Sequence, residues 1–191
     1  MKRKTHKRKI VSLFFFILSM LIILIGIYQT KWVQAKLYPL LYRKNIENYS
    51  KEYHLDPYLV MSVIYVESGF KPKSISSHGA IGLMQIMPKT GEWIADKMKL
   101  KNFQNEMLYD ETYNIKLGCW YLKNLQEQYN NDQVLLLAAY NAGSGNVNRW
   151  LSLPQYSADG KTLYNIPYKE TRNYIDKVMK AYNKYKWIYK K

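Results

Sequence analysis

The sequence predicts a mainly α-helical domain, residues 45–188, preceded by one N-terminal transmembrane helix, residues 10–28. Three observations predict it. Ile10 to Tyr28 carries no charge and is apolar apart from Ser12, Ser19 and Gly26. Beyond residue 45, helix-starting and helix-stopping residues bracket one apolar segment after another. Hairpin signals are scarce: there is no Asn-Gly pair, and the Asp-Gly at Asp159-Gly160 falls in a polar loop between Ser152 and Pro167.

The first element follows from bilayer dimensions. The 19 residues of Ile10–Tyr28 would span roughly 28 Å as a helix, close to the ~30 Å hydrocarbon core of a membrane. Six basic residues precede it, Lys2, Arg3, Lys4, Lys7, Arg8 and Lys9, so residues 1–9 read as a cytoplasmic tail and the rest of the chain as lying on the outer, cell-wall side. Tyr28 and Trp32 suit the outer interface. A cleaved signal peptide, with Val33-Gln34-Ala35 as its cleavage site, is the competing reading and would give a secreted protein. The apolar run exceeds the usual signal core, which favours a retained anchor. Residues 29–44 read as a spacer.

The domain that follows is punctuated by caps. Asp56-Pro57 places an N-cap before proline at the first helical position and predicts a helix to Ser68, stopped by Gly69. Pro88 opens a second helix through Met98, and Asp110 caps a third to about Tyr129. Asp132 caps a fourth over "QVLLLAAYNA", closed by Gly143, and the last runs from about Lys169 to Tyr185. A short strand or two is compatible with the 152–167 loop or with Ser74 to Ser77.

The net charge of +15 comes from 29 basic and 14 acidic residues. The six charges of the tail leave +9 beyond it, scattered as in Lys177, Lys180, Lys184 and Lys186 along a solvated helix face. That pattern argues against nucleic-acid binding and suits work within an anionic cell envelope. Cys119 is the only cysteine, so no intrachain disulfide forms and the domain must be held by its own core. His6 and His54 are far apart, His78 reads as a surface residue, and no HExxH or paired-cysteine spacing occurs. Neither a metal nor a cofactor is expected.

One acidic residue stands out. In "LVMSVIYVESGFKPKSISSHGAIGLMQIMP", Leu59 to Pro88, Glu67 is the sole carboxylate. At about 100° per residue, Leu59 falls at about 0°, Val63 at about 40°, Glu67 at about 80°, Val60 at about 100° and Ile64 at about 140°. Glu67 therefore lies midway across an apolar face, at the negative end of the helix dipole. Both effects favour the protonated acid, as a general acid near neutral pH requires. The segment after it supplies Gly79 and Gly82 for close backbone approach, to a ligand or to another helix, and Ser76 and Gln85 as neutral hydrogen-bonding groups suited to a sugar. The alternative is a buried Glu paired with a cation, or one at a frayed helix end.

Four ordered segments, "ESGF" from Glu67, "SSHGAIGLMQIMP" from Ser76, "AAYNAGSGNV" from Ala138 and "IPYKETRNYIDKV" from Ile166, resemble the motifs of lytic transglycosylases. The family is that of the soluble lytic transglycosylase (SLT) catalytic domain, related to goose-type lysozyme. "DETYNIKLGCWYLKNL", Asp110 to Leu125, is similar to its structural helix. The resemblance covers about Ile46 to Tyr185 and implies a lysozyme-like fold. It implies an enzyme that cleaves the β-1,4 bond between N-acetylmuramic acid and N-acetylglucosamine in peptidoglycan glycan strands and leaves a 1,6-anhydromuramyl end. Glu67 would be the sole acid/base. Ser76, Gln85 and Met87 match positions lining the sugar cleft, and Tyr140 and Asn141 match residues across from the acid, with the Tyr140 hydroxyl near Glu67 or the substrate's acetamido group. Tyr174 matches a late tyrosine on the other wall. Asp110 and Glu111 read as a helix cap and Glu170 as part of a structural turn. Packing readings stay open: Met84 and Met87 as core fillers, and Tyr140 as one of 19 tyrosines. Ser77 and Cys119 depart from the family at structural positions, and the loop Tyr156 to Asn165 differs most and is a candidate for shaping access. A hydrolytic lysozyme and a non-catalytic glycan-binding protein on the same fold are the rival functions. No protein partner is indicated.

Overall fold

The computed structural model describes residues 2–190, with side chains from Leu13 onward. The side chains of the basic tail and of Ile10 to Ser12 lie outside the described residues. The chain divides into two compact units, Met1–Pro39 and Leu40–Lys191.

The first unit holds helices α1 (Lys2–Tyr28) and α2 (Lys31–Leu37). From Leu13 to Ile27 the large apolar side chains of α1 are exposed. Thr30 caps α2, its hydroxyl accepting from the Val33 amide at 3.4 Å, and the Gln34 side chain donates to the Tyr28 carbonyl at 2.8 Å. Among the described residues no single helix is long and apolar enough to cross a membrane. Leu13–Tyr28 and Lys31–Leu37 together are, with a 66° bend between them. Helix α2 falls in the segment read as spacer.

The second unit holds α3 (Arg43–Glu52), α4 (Pro57–Ser68), α5 (Pro88–Lys97), a 3₁₀ turn (Asn105–Tyr109), α6 (Glu111–Gln128), α7 (Gln133–Ala142), α8 (Ser144–Leu151) and α9 (Lys169–Tyr189). Its mainly helical character is as the sequence predicts. Three predicted caps form with the expected chemistry. Asp56 accepts from the Tyr58 amide, Asp110 from Thr112 and Tyr113, and Asp132 from Val134 and Leu135, all at 2.8–2.9 Å. Gly69 ends α4 at φ 57°, in the left-handed region that glycine enters without a Cβ clash.

Helix α4 is the centre of the unit. Leu59, Val60, Met61, Val63 and Ile64 are all buried, each worth about 1.5–3 kcal/mol in removal from water. The helix packs on α9 and α3; α7 packs on α6, α8 and α9. A hydrogen bond of 2.7 Å from the Tyr182 hydroxyl to the second Asp56 oxygen ties α9 to the start of α4. Residues 74–86 form no named strand, only the antiparallel bridges Ile75 with Ile81 and Ile81 with Ile86. The 152–167 loop contains neither bridge. Gly143 closes α7 as expected, and α8, which the sequence reading did not include, follows it directly. Helix α9 runs four residues beyond the expected Tyr185.

Candidate active site

Glu67 sits in the last turn of α4, where the helix leaves the core and its side chain becomes half-buried. It lines a cleft of about 850 Å³. Loss of water raises its carboxyl from the usual 4.5 to about 7, against a smaller lowering by the Tyr174 hydroxyl. Among the described residues it forms no ion pair, so the reading of a Glu tied to Lys or Arg does not hold.

The wall after α4 is the 74–87 segment. Ser76 closes its turn: the Ser76 hydroxyl oxygen accepts from the amides of His78 (3.3 Å) and Ala80 (3.0 Å), leaving its own proton for a ligand. Gln85 adopts φ 48° and its amide nitrogen donates to the carbonyls of Gly82 (2.8 Å) and Ser74 (3.2 Å). Its carbonyl oxygen makes no such bond among the described residues. Met87, at the start of α5, is exposed in the cleft, whereas Met84 is fully buried and serves the core.

This segment is fixed from α6. The amide of Asn114, fully buried, accepts from the Met84 N–H at 2.7 Å and donates to the carbonyls of Leu108 (2.8 Å) and Ile81 (3.0 Å). Gly82, at φ 83°, passes so close that a Cβ there would lie 2.2 Å from the Asn114 nitrogen. Its freedom thus serves approach to a helix. Ser68 adds a bond of 2.8 Å to the Leu83 carbonyl. Sequence reasoning missed Asn114 and Ser68, because a polar residue in a helix reads as a surface position.

Tyr140 and Asn141, at the end of α7, form the opposite side. The Tyr140 hydroxyl lies near Glu67, as expected, and donates its own proton to the Met84 carbonyl at 2.8 Å. A carbonyl at hydrogen-bonding distance claims that proton first, and the phenol oxygen keeps its lone pairs near Glu67; burial above all, and then the Glu67 charge, push the phenol well above its usual value. Asn141 accepts from the Thr171 hydroxyl at 2.8 Å, which fixes the carbonyl end and leaves its NH₂ for a ligand.

Tyr174 is not on the cleft wall. It is buried beside Glu67, its hydroxyl short of normal hydrogen-bond geometry to any partner yet near enough to favour the carboxylate. The start of α9 contributes more than expected. Lys169, Glu170 and Thr171 line the cleft with Pro167 and Tyr168, so Glu170, read as structural, is a second carboxylate in the same cavity. His78 is exposed, as expected, but on the cleft rim. The 156–165 loop contributes no lining residue; Asp159 folds it on itself by accepting from the amides of Lys161 and Thr162, both at 2.8 Å.

The cleft thus joins a half-buried acid with a pKa near neutrality, uncommitted hydroxyl and amide groups, and tyrosines. The model of the Transglycosylase SLT domain matches residues 44–163. The soluble lytic murein transglycosylase of Escherichia coli (strain K12) is 33% identical over 150 residues, covering 78% of this chain and 23% of that protein. Membrane-bound lytic murein transglycosylase C of Actinobacillus pleuropneumoniae serotype 5b (strain L20) is 32% identical over 176 residues, covering 80% of this chain and 47% of that protein. The crystal structure of the 70 kDa soluble lytic transglycosylase from Escherichia coli superposes with a TM-score of 0.72 at 28% identity, over 81% of this chain and 25% of that one. The chain spans about a quarter of the soluble relative and about half of the membrane-bound one. With its lysozyme-like helical fold and its match over more than half its length, the chain belongs to the Transglycosylase SLT domain family.

Proposed function

We propose that the chain is a membrane-anchored peptidoglycan lytic transglycosylase that cleaves the β-1,4 bond between N-acetylmuramic acid and N-acetylglucosamine and leaves 1,6-anhydromuramyl ends. The observation that carries this reading is Glu67: a carboxyl with a pKa of about 7, free of any ion pair, in a cleft of sugar-compatible groups. Protonated, it gives its proton to the glycosidic oxygen as the C1–O bond breaks. As carboxylate it then takes the proton of the muramyl 6-hydroxyl while that oxygen bonds to C1. No water is consumed. Ser76, Gln85, Met87 and Asn141 hold the sugars, and Tyr140 and Tyr174 tune the acid, the first with phenol lone pairs and the second with a buried hydroxyl that steadies the anion between the two steps.

The anchor reading rests on the exposed apolar surface of α1 and on the bent pair that together is long and apolar enough to span a bilayer. A membrane-bound relative of similar sequence supports it. The tether would hold the catalytic unit at the membrane-proximal wall.

Glu170 favours one rival reading. A second carboxylate in the cleft is what a hydrolytic lysozyme needs to activate water. Mass spectrometry of digested walls decides between them, since anhydro ends are lighter than reducing ends by one water. Anhydro ends are expected. Reducing ends that disappear in Glu170→Gln would establish the hydrolytic reading instead. Glu67→Gln is expected to clear purified walls at least about a hundredfold more slowly; equal clearing would remove the acid/base role.

A further inference from the structure

Helix α9 carries more charge than its packing uses. From Lys177 to Lys190 it holds Lys177, Lys180, Lys184, Lys186 and Lys190 and no acidic residue, Asp176 lying at its flank. At about 100° per residue, Asn173, Lys177, Lys180, Lys184 and Trp187 fall within an arc of about 80°. The buried set Tyr174, Ile175, Val178, Ala181 and Tyr185 takes the side that packs on α4 and α7. From Lys177 to Trp187 the stripe runs about 15 Å along the axis.

Lys177 and Lys180 are exposed and Lys184 is half-buried. None of the three forms an ion pair among the described residues. Lys186 is set apart from them: it donates to the Tyr182 hydroxyl at 3.2 Å, and that hydroxyl donates to Asp56. Trp187 stays 45% exposed at the end of the stripe, with the Lys184 ammonium 5.1 Å from its ring centroid. Lysines alone would be a solvated face; the ring at their end distinguishes this one. Ammonium groups that lead to a half-exposed indole suit a membrane–water interface, where the indole sits at headgroup level and the charges meet lipid phosphates. Lysine is a point charge without the planar fork that grips one phosphate, so the stripe suits a field of phosphates. A soluble anionic polymer offers the same charge but nothing for the indole.

We propose that the Lys177–Lys180–Lys184–Trp187 face of α9 docks the catalytic unit on an anionic lipid surface. The proposal rests on the anchor reading, since a tethered unit meets the bilayer at high effective concentration, where a weak contact suffices. Each lysine at such a surface adds about fivefold to the affinity, and the three together about a hundredfold. Docking reaches the cleft through one helix: Thr171 lines the cleft, and Lys177 begins the stripe about 9 Å further along α9. A docked α9 fixes the height of the cleft above the lipid and confines cutting to glycan next to the membrane.

The test places a polarity-sensitive dye at the flank of the stripe through Asn183→Cys, an exposed position; Cys119 is fully buried and stays unlabelled. The full chain is reconstituted into vesicles of phosphatidylcholine, alone or with about one-third phosphatidylglycerol. Quenching of the dye by a headgroup nitroxide lipid is then read. It is expected to be at least about threefold greater in the anionic vesicles and to fall to the phosphatidylcholine level in about 1 M salt. Lys177→Gln, Lys180→Gln and Lys184→Gln combined should abolish the gain, and Trp187→Ala should lose part of it, while both variants digest isolated glycan strands at the wild-type rate. Equal quenching in both lipids and in the triple variant means that the tether alone brings α9 to the surface, which overturns the docking face. Absence of quenching in either lipid overturns it as well. A dye that responds to soluble poly(glycerol phosphate) and not to anionic lipid assigns the face to a polymer and overturns the lipid. Flotation with phosphatidylcholine vesicles reads the anchor separately: a chain that fails to float there but shows lysine-dependent quenching in anionic vesicles keeps the docking face and loses the anchor.

Discussion

At the residue scale, the chemistry turns on what Glu67 loses when the chain folds. Its carboxyl moves from the usual 4.5 to about 7 because burial strips water from the anion, and the nearby Tyr174 hydroxyl only partly offsets this. The folded state therefore holds the proton more tightly than the unfolded chain. Stability is full below the unfolded pKa and declines as pH rises from about 4.5 to about 7, by up to about 3 kcal/mol. Glu67→Gln removes the titration, so the variant should melt higher than wild type at pH 8, with the difference vanishing near pH 4. Scanning calorimetry across that range measures it; a constant difference would mean that burial is not the cause. Wall-clearing rate should fall tenfold per pH unit above about 7, where the acid form is depleted. Asn114 is the structural counterpart. Its amide satisfies one buried N–H and two buried carbonyls of the cleft scaffold, so Asn114→Ala leaves three groups unpaired and should cost about 3 kcal/mol or more in urea denaturation. A cost below about 1 kcal/mol would show that the 74–87 segment stands without it. The acid was legible in the sequence because a lone carboxylate on an apolar face breaks a pattern. Asn114 was not, since two of its three partners lie 30 or more residues away and periodicity carries no long-range pairing. The fate of the Tyr140 proton was hidden for the same reason.

At the element scale, local chemistry fixes helix starts. Asp56, Asp110 and Asp132 act through amides two or three residues on, and such contacts are visible in sequence. Gly143 ends α7 as read from sequence, but α8 was not legible, because at its φ of 85° the same glycine turns the chain and a new helix begins at the next residue. Helix α3 was hidden by its polarity, since of its ten residues only Ile46 and Ser50 are buried. Packing between elements also reverses an ordinary expectation at Gly118. Glycine inside a helix is destabilising by about 1 kcal/mol relative to alanine, yet on α6 a Cβ would lie 2.2 Å from the Met84 sulfur and 3.0 Å from the Met84 Cβ. Met84 is fully buried, and overpacking of this kind costs about 1–3 kcal/mol. The clash outweighs the propensity, so Gly118→Ala should lower the melting temperature. Adding Met84→Ala to it should cost less than Met84→Ala costs alone, because the truncated side chain makes room for the new methyl. Additive effects in the double variant would disprove the contact.

At the scale of the whole molecule, the chain combines a unit whose apolar surface faces outward with one whose apolar surface is folded in. In residues 40–191 the buried set runs through α3, α4, α6, α7 and α9 and includes Ile46, Ile64, Leu117, Leu137 and Val178. In residues 1–39 the large side chains from Leu13 to Ile27 are exposed, a surface that is costly in water over that length and that a bilayer, on the proposed anchor reading, would cover. The two units should therefore separate by solubility without loss of the fold. Full-length protein is expected in the membrane fraction, resistant to alkaline carbonate and released by detergent. A chain beginning at Leu40 should be soluble, with a melting temperature within a few degrees of the detergent-solubilised parent. It should digest isolated glycan strands at a similar rate, because Glu67 and every lining residue of the cleft lie within it. Against intact cells the two should differ, the tethered form acting only where the membrane lies within reach of the wall. Carbonate release of the full-length chain would remove the anchor while leaving the cleft chemistry standing; collapse of the 40–191 chain would show that the core described for it is incomplete without the first 39 residues.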